Sequence, residues 1–217
     1  MKIMKASPSF HSPGLRALRG AARASAGFTA IELMVVVAIV GVLTALAAPS
    51  FTPLIERWRV REAAESITAS VYLARSEAIK RGGNVVILKN NSNDINAPTC
   101  NNGTGATEWG CGWNVFLDVN ANGSQDACVA TATPNECSIQ TVTAPTRVAV
   151  TLAGSVQGKI VIDRWGMASH AGSGSTAPTN MFFAIAPQGK TMTDPNAARL
   201  CVGMGGRIVR KKGSETC

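Results

Sequence analysis

The stretch from Gly27 to Ser50, GFTAIELMVVVAIVGVLTALAAPS, constrains the chain more than any other. Its apolar part, Phe28 to Ala48, is about 21 residues long, and as a helix rising roughly 1.5 Å per residue it spans about 30 Å, the thickness of a bilayer's hydrocarbon layer. A run this apolar belongs in lipid or in a protein core, and its flanks favour lipid. Residues 1–26 hold Lys2, Lys5, Arg16, Arg19 and Arg23 and no acid, so the positive-inside rule keeps them in the cytoplasm and sends the rest of the chain across. The one charge inside the run is Glu32. A carboxylate in hydrocarbon is costly, which points to a partner and a function.

This division predicts a leader over 1–27 that is removed, a membrane and assembly helix over 28–53, and an extracytoplasmic head over 54–217. Met4 is a second candidate start for the leader. A secretory signal peptide would instead be cut after the apolar run, at Ala47-Ala48-Pro49, where proline disfavours cleavage. Loss of the leader changes the charge argument. The formal charge of +8 falls, because 21 basic residues less the five before Gly27 leave 16 against 13 acidic ones. General affinity for nucleic acid therefore finds little support in composition.

Past the membrane segment, Val60, Ala64, Ile67, Val71, Ala74 and Ala78 recur at three- and four-residue steps, which predicts an amphipathic helix from Leu54 to Arg81 ended by Gly82-Gly83. Gly41, Pro49 and Pro53 are expected to bend or interrupt the rod, since each proline removes a helix hydrogen bond. Short β-rich runs follow at Asn84–Lys89, Gly112–Val119, Ile139–Thr143, Arg147–Leu152, Lys159–Asp163, Met181–Ala186, Leu200–Val202 and Arg207–Arg210. The fold class is α+β: a long N-terminal helix packed on an antiparallel sheet or sandwich. Residues 90–111 and 120–138, rich in Asn, Gly, Thr and Ala, are expected as loops.

All six cysteines, Cys100, Cys111, Cys128, Cys137, Cys201 and Cys217, follow the membrane segment, as disulfides in an oxidising compartment require. Of the 15 possible connectivities, short gaps favour Cys100–Cys111, Cys128–Cys137 and Cys201–Cys217. The large aromatics Trp58, Trp109, Trp113, Trp165, Phe182 and Phe183 are expected in or near the core. No metal site is expected: there is no CxxC, and His170 is the sole histidine after the leader. Asp118, Asn120, Asn122, Gly123 and Asp126 copy the start of a calcium loop, but Val129 stands where the bidentate glutamate belongs. No nucleophile motif appears, so neither enzymatic activity nor a cofactor is expected.

A small residue at Gly27, then Phe28 and Glu32 opening an apolar helix, resembles the class III signal of type IV pilins and type II secretion pseudopilins. The run from Trp109 through Cys111, Trp113, Phe116, Asp118, Asn120 and Asn122 to Gly123, together with Gly205-Gly206-Arg207, looks like the GspH/FimT group of minor pilins and pseudopilins. That resemblance implies cleavage by prepilin peptidase between Gly27 and Phe28, N-methylation of Phe28, and a Glu32 carboxylate that pairs with a Phe28 amine and sets subunit register. It implies unwinding between Gly41 and Pro49 in the filament, and passage from the inner membrane, with a periplasmic head, to a pilus or pseudopilus. The implied partners are other pilins and an inner-membrane assembly platform.

The main functional expectation is a minor pilin that primes or caps a type IV pilus. One alternative is a type II secretion pseudopilin of the GspH kind. Another is a DNA-binding minor pilin for natural transformation, resting on Arg207, Arg210, Lys211 and Lys212 between Cys201 and Cys217. Some FimT-type pilins carry a GRxR signature there. In Gly206-Arg207-Ile208-Val209-Arg210 the arginines stand one residue further apart, which on a strand puts them on opposite faces and leaves Lys211 on the face of Arg207.

Overall fold

The computed structural model describes residues 27–91, 105–129, 131, 133, 135–154, 158–169, 181–203 and 205–217, with the side chains of 47–50 excepted. Two compact units divide the chain, Met1–Leu46 and Ala47–Cys217. A helix, α1 (Ala30–Arg81), begins in the first and ends in the second. In the first unit the apolar side chains from Phe28 to Leu46 are exposed. Among the described residues no single helix, neither Ala30–Leu46 nor Phe51–Arg81, is long and apolar enough to cross a membrane; only taken together do they have the length and composition of a span.

In the second unit the α1 residues Val60, Ala63, Ala64, Ile67, Val71, Ala74 and Ala78 are buried. Their spacing lines one face, and Arg61–Glu65 and Glu77–Arg81 pair along the helix outside it. Gly82, at a φ of 66°, ends the helix in the left-handed conformation that glycine adopts without a Cβ clash.

Among the described residues nine strands follow, in two sheets. The first orders β3 (Ser138–Val142), β2 (Trp113–Asp118), β1 (Asn84–Lys89), β5 (Lys159–Ile162) and β6 (Ala168–Ser169). The second orders β4 (Val148–Ala153), β7 (Phe182–Pro187), β8 (Ala198–Val202) and β9 (Ile208–Lys212). Every pairing is antiparallel. One core joins the α1 face to alternate residues of both sheets, among them Val85, Ile87, Val115 and Ile160 from the first and Val150, Leu152, Phe183 and Leu200 from the second.

Trp109 joins the two sheets. Its N–H donates to the Val150 carbonyl at 2.8 Å, and the Leu152 N–H donates to the Thr107 carbonyl at 2.8 Å, so this segment lies along the free edge of β4. Its ring meets Phe183 of β7 edge-on at 5.0 Å and Trp113 of β2 at 6.1 Å. Trp113 in turn donates from Nε1 to the Ser70 hydroxyl at 2.9 Å, and that hydroxyl donates to Gln140 Oε1 at 2.8 Å, tying helix to sheet. Gly112, between the two tryptophans, has a φ of 79°, and a Cβ there would sit 2.1 Å from the Val142 carbonyl oxygen.

Burial corrects the expectation for two aromatics, since Trp58 is 65% and Trp165 74% exposed. Trp58 lies two residues before Val60, about 200° around the helix from the buried face. Trp165 sits in the turn between β5 and β6, where Asp163 Oδ1 accepts the Trp165 and Met167 N–H groups, each at 2.9 Å.

Candidate functional site

Three places carry the residues singled out by sequence. At the N-terminus, Gly27 precedes α1 in open space, and Phe28 is 78% exposed. Glu32 has a local role that its charge did not suggest. The Thr29 hydroxyl accepts the Glu32 N–H at 3.3 Å, while Glu32 Oε2 accepts the Thr29 N–H and hydroxyl at 3.5 Å. This is a capping box at the start of α1, and Thr29-x-x-Glu32 was readable as one in the sequence. Gly41 lies within the first helical stretch, Ala30–Leu46, and Pro53 near the start of the second, Phe51–Arg81, with Pro49 at the break between them. The Thr44 hydroxyl bonds back to the Val40 and Gly41 carbonyls at 2.9 Å each.

The second place is the connection between β2 and β3. Asp118 accepts the N–H groups of Asn122 at 3.1 Å and Gly123 at 2.8 Å. Asp126 Oδ2 accepts both the Asn120 and Asn122 amides, at 2.8 and 2.9 Å. Glu136, almost fully buried, accepts the Val119 N–H at 2.7 Å and the Asp126 N–H at 3.0 Å. The calcium-like residues thus hold the loop's own backbone, and among the described residues no cluster of three or more His, Cys, Asp or Glu is placed for a metal. Cys128 is bonded to Cys137 and closes this loop. Cys111 is disulfide-bonded, and its expected partner Cys100 lies outside the described residues, as do His170 and the leader through residue 26.

The basic C-terminal segment is the third. β8 and β9 form a hairpin at the sheet's edge, turned by a Gly206 N–H bond to Gly203 O at 2.9 Å and a Gly203 N–H bond to Arg207 O at 2.8 Å. Register sorts the cations: Arg210 stands opposite Leu200 and Lys212 opposite Ala198, whereas Lys211 stands opposite Arg199. Paired residues share a face, so Lys211 is separated from Arg210 and Lys212. Arg207 precedes β9 and is exposed, as are Arg210 and Lys212. Lys211 Nζ donates to the Thr216 carbonyl at 2.7 Å, and the Cys201–Cys217 disulfide ties the same tail to β8.

Two further arginines belong to this region. Arg199 lies 4.3 Å over the Phe182 ring, a cation–π contact on the face of Lys211. Arg75 of α1 passes under two turns: a Cβ on Gly166 would lie 2.9 Å from its Nε, and one on Gly206 would lie 3.2 Å from its Cδ. Only the fold brings these turns to the helix, so no local pattern could have announced Arg75.

With this geometry established, similarity to known proteins becomes informative. The family described as "Type II transport protein GspH" matches residues 63–206. Two fimbrial proteins of Pseudomonas aeruginosa are each 42% identical over 64 residues, which is 30% of this chain and 41% of theirs. The chain therefore aligns with less than half the length of these relatives. Among solved structures, the type IV minor pilin FimU of Pseudomonas aeruginosa superposes with a TM-score of 0.50 at 21% identity, covering 76% of this chain and 96% of that one, a likeness of fold. The minor pseudopilin EpsH of the Vibrio cholerae type 2 secretion system gives a TM-score of 0.42 at 14% identity over 72% of this chain and 99% of its own. The family match covers more than half of the chain, including the whole buried face of α1 from Ala63 and every strand up to β8: this chain belongs to the GspH family of minor pilins and pseudopilins.

Proposed function

We propose that the chain is the precursor of a membrane-anchored minor pilin that primes or caps a type IV pilus near its tip. The observation that carries this reading is the contrast along α1. From Phe28 to Leu46 its apolar side chains are exposed, whereas from Val60 the same helix buries a continuous face in the head. An apolar length that its own head does not cover suits lipid before assembly and neighbouring subunits afterwards. In this account prepilin peptidase cuts between Gly27 and Phe28, the new Phe28 amine is methylated, and Glu32 pairs with such an amine on the platform where subunits join. Residues 28–53 anchor, 54–217 form the periplasmic head, and the stretch from Gly41 through Pro49 to Pro53 is where the helix yields during packing. A type II secretion pseudopilus would use the same parts. Recovery of the mature chain in low copy from sheared pili, and its absence from a secretion pseudopilus, separates the two.

A second reading, DNA capture for transformation, is favoured by a specific feature. The β8–β9 hairpin is an edge tied by Cys201–Cys217 and carrying Arg207, Arg210, Lys211 and Lys212. Four phosphate contacts predict a log–log salt slope of roughly −3 to −4 on duplex DNA with little sequence preference. In a band-shift titration the Arg207→Gln/Lys211→Gln variant should bind more weakly and with a shallower slope. Equal binding by the variant, or no binding by the unmutated chain at low salt, removes this reading.

A further inference from the structure

A cavity of about 530 Å³ opens beside the first turns of α1 in the head, lined by Ile55, Glu56, Arg59, Arg147 and Gln188. Its charges are unbalanced. The Glu56 carboxylate is taken by Lys190 at 2.7 Å, a hydrogen bond that holds the Lys190 ammonium above its ordinary pKa, and Lys190 also meets Asp194 at 3.3 Å. Neither the Arg59 nor the Arg147 guanidinium has an ion-pair partner among the described residues. Arg147 holds a φ of 55°, rare for a residue with a Cβ, while its carbonyl accepts the Gln188 N–H at 3.0 Å. Strain of this kind concentrates at functional positions. Here it fixes one of the cavity's two uncompensated cations.

Position narrows the ligand. Thr52, on the same rim, follows Ala48 by four residues, so the chain itself keeps it within about 14 Å of the end of the apolar run. Around it Phe51, Leu54, Ile55 and Trp58 are exposed, with Arg57 and Arg59 on either side of Trp58. Exposed tryptophan and apolar side chains interleaved with arginine are the composition of a bilayer's headgroup layer.

We propose that the cleft between Arg59 and Arg147 binds the phosphodiester headgroup of an anionic phospholipid, seating the head on the periplasmic leaflet while the subunit awaits assembly. The site rests on the membrane-anchored reading above. It supplies that reading with a release step, since leaving the membrane requires giving up the headgroup.

The test uses the full chain in neutral detergent, titrated calorimetrically with short-chain phosphatidylglycerol, with phosphatidylcholine and with inorganic phosphate. Phosphatidylglycerol should bind in preference to both. At low salt the Arg59→Gln/Arg147→Gln variant should bind it about 30-fold more weakly, Arg59→Gln alone about fivefold, and Lys80→Gln unchanged. No preference over phosphatidylcholine, equal binding by the double variant, or inorganic phosphate binding as tightly as the lipid overturns the site. Alkaline extraction of membranes holding the same chain tests the anchor separately. Release into the wash sinks the anchor, whereas retention without a phosphatidylglycerol preference sinks the lipid site alone.

Discussion

Glu32→Ala is expected to insert into the inner membrane as well as the unmutated chain and to be nearly absent from sheared pili. Insertion is unharmed because the substitution removes a charge from hydrocarbon. Assembly fails because the Phe28 amine of the incoming or neighbouring subunit meets no carboxylate. Breaking a buried ion pair on one side costs about 3 to 5 kcal/mol, which corresponds to a loss of incorporation of roughly a hundredfold or more. The capping box adds a control. Glu32→Gln keeps a side chain that can accept the Thr29 N–H, as glutamine does in such boxes, while removing the charge. Immunoblots of sheared and membrane fractions should show both variants excluded from pili. If Gln is incorporated normally while Ala is not, helix capping rather than charge pairing governs assembly.

The largest effect on the head is expected at Trp109. Truncation to alanine empties the space between the sheets, removing the contacts with Trp113 and Phe183. Large-to-small changes of this kind cost about 3 to 5 kcal/mol, a substantial part of the 5 to 15 kcal/mol that roughly bounds domain stability. No lost side-chain hydrogen bond adds to this cost, because among the described residues Trp109 Nε1 is buried without a partner. Trp165→Ala, at a turn and mostly exposed, should stay within about 0.5 kcal/mol. Denaturant unfolding of the two variants side by side checks the contrast. A Trp109→Ala head as stable as Trp165→Ala would mean that the sheets are not held together through this ring.

The α1 face was legible because helical periodicity is a local signal: Val60, Ala64, Ile67, Val71, Ala74 and Ala78 were named from spacing and all are buried. The longer strands were legible from their β-branched residues for the same reason. Which strands fall in which sheet was not, because it depends on which distant strands pair. β1 pairs with β5 across most of the head, and β4 joins β7 rather than β3, although β3 precedes it in the chain. β6, at two residues, has no pattern to read. Trp109 was expected within a loop, and its neighbours Thr107 and Glu108 disguised its contact with the edge of β4. Aromatic identity misled at Trp58 and Trp165, since burial follows helix phase and turn position rather than size. The order of the basic residues was readable, but their sorting by face at β9 required the register of β8.

The central claim is that this GspH-family chain matures as a pilin, and the most direct test is the N-terminus and intact mass of the protein recovered from the membrane. The account predicts a chain beginning at Phe28, heavier by a single methyl group than the unmodified sequence from 28 to 217 with its cysteines oxidised. A chain beginning after Ala48, or one still carrying residues 1–27, would contradict it.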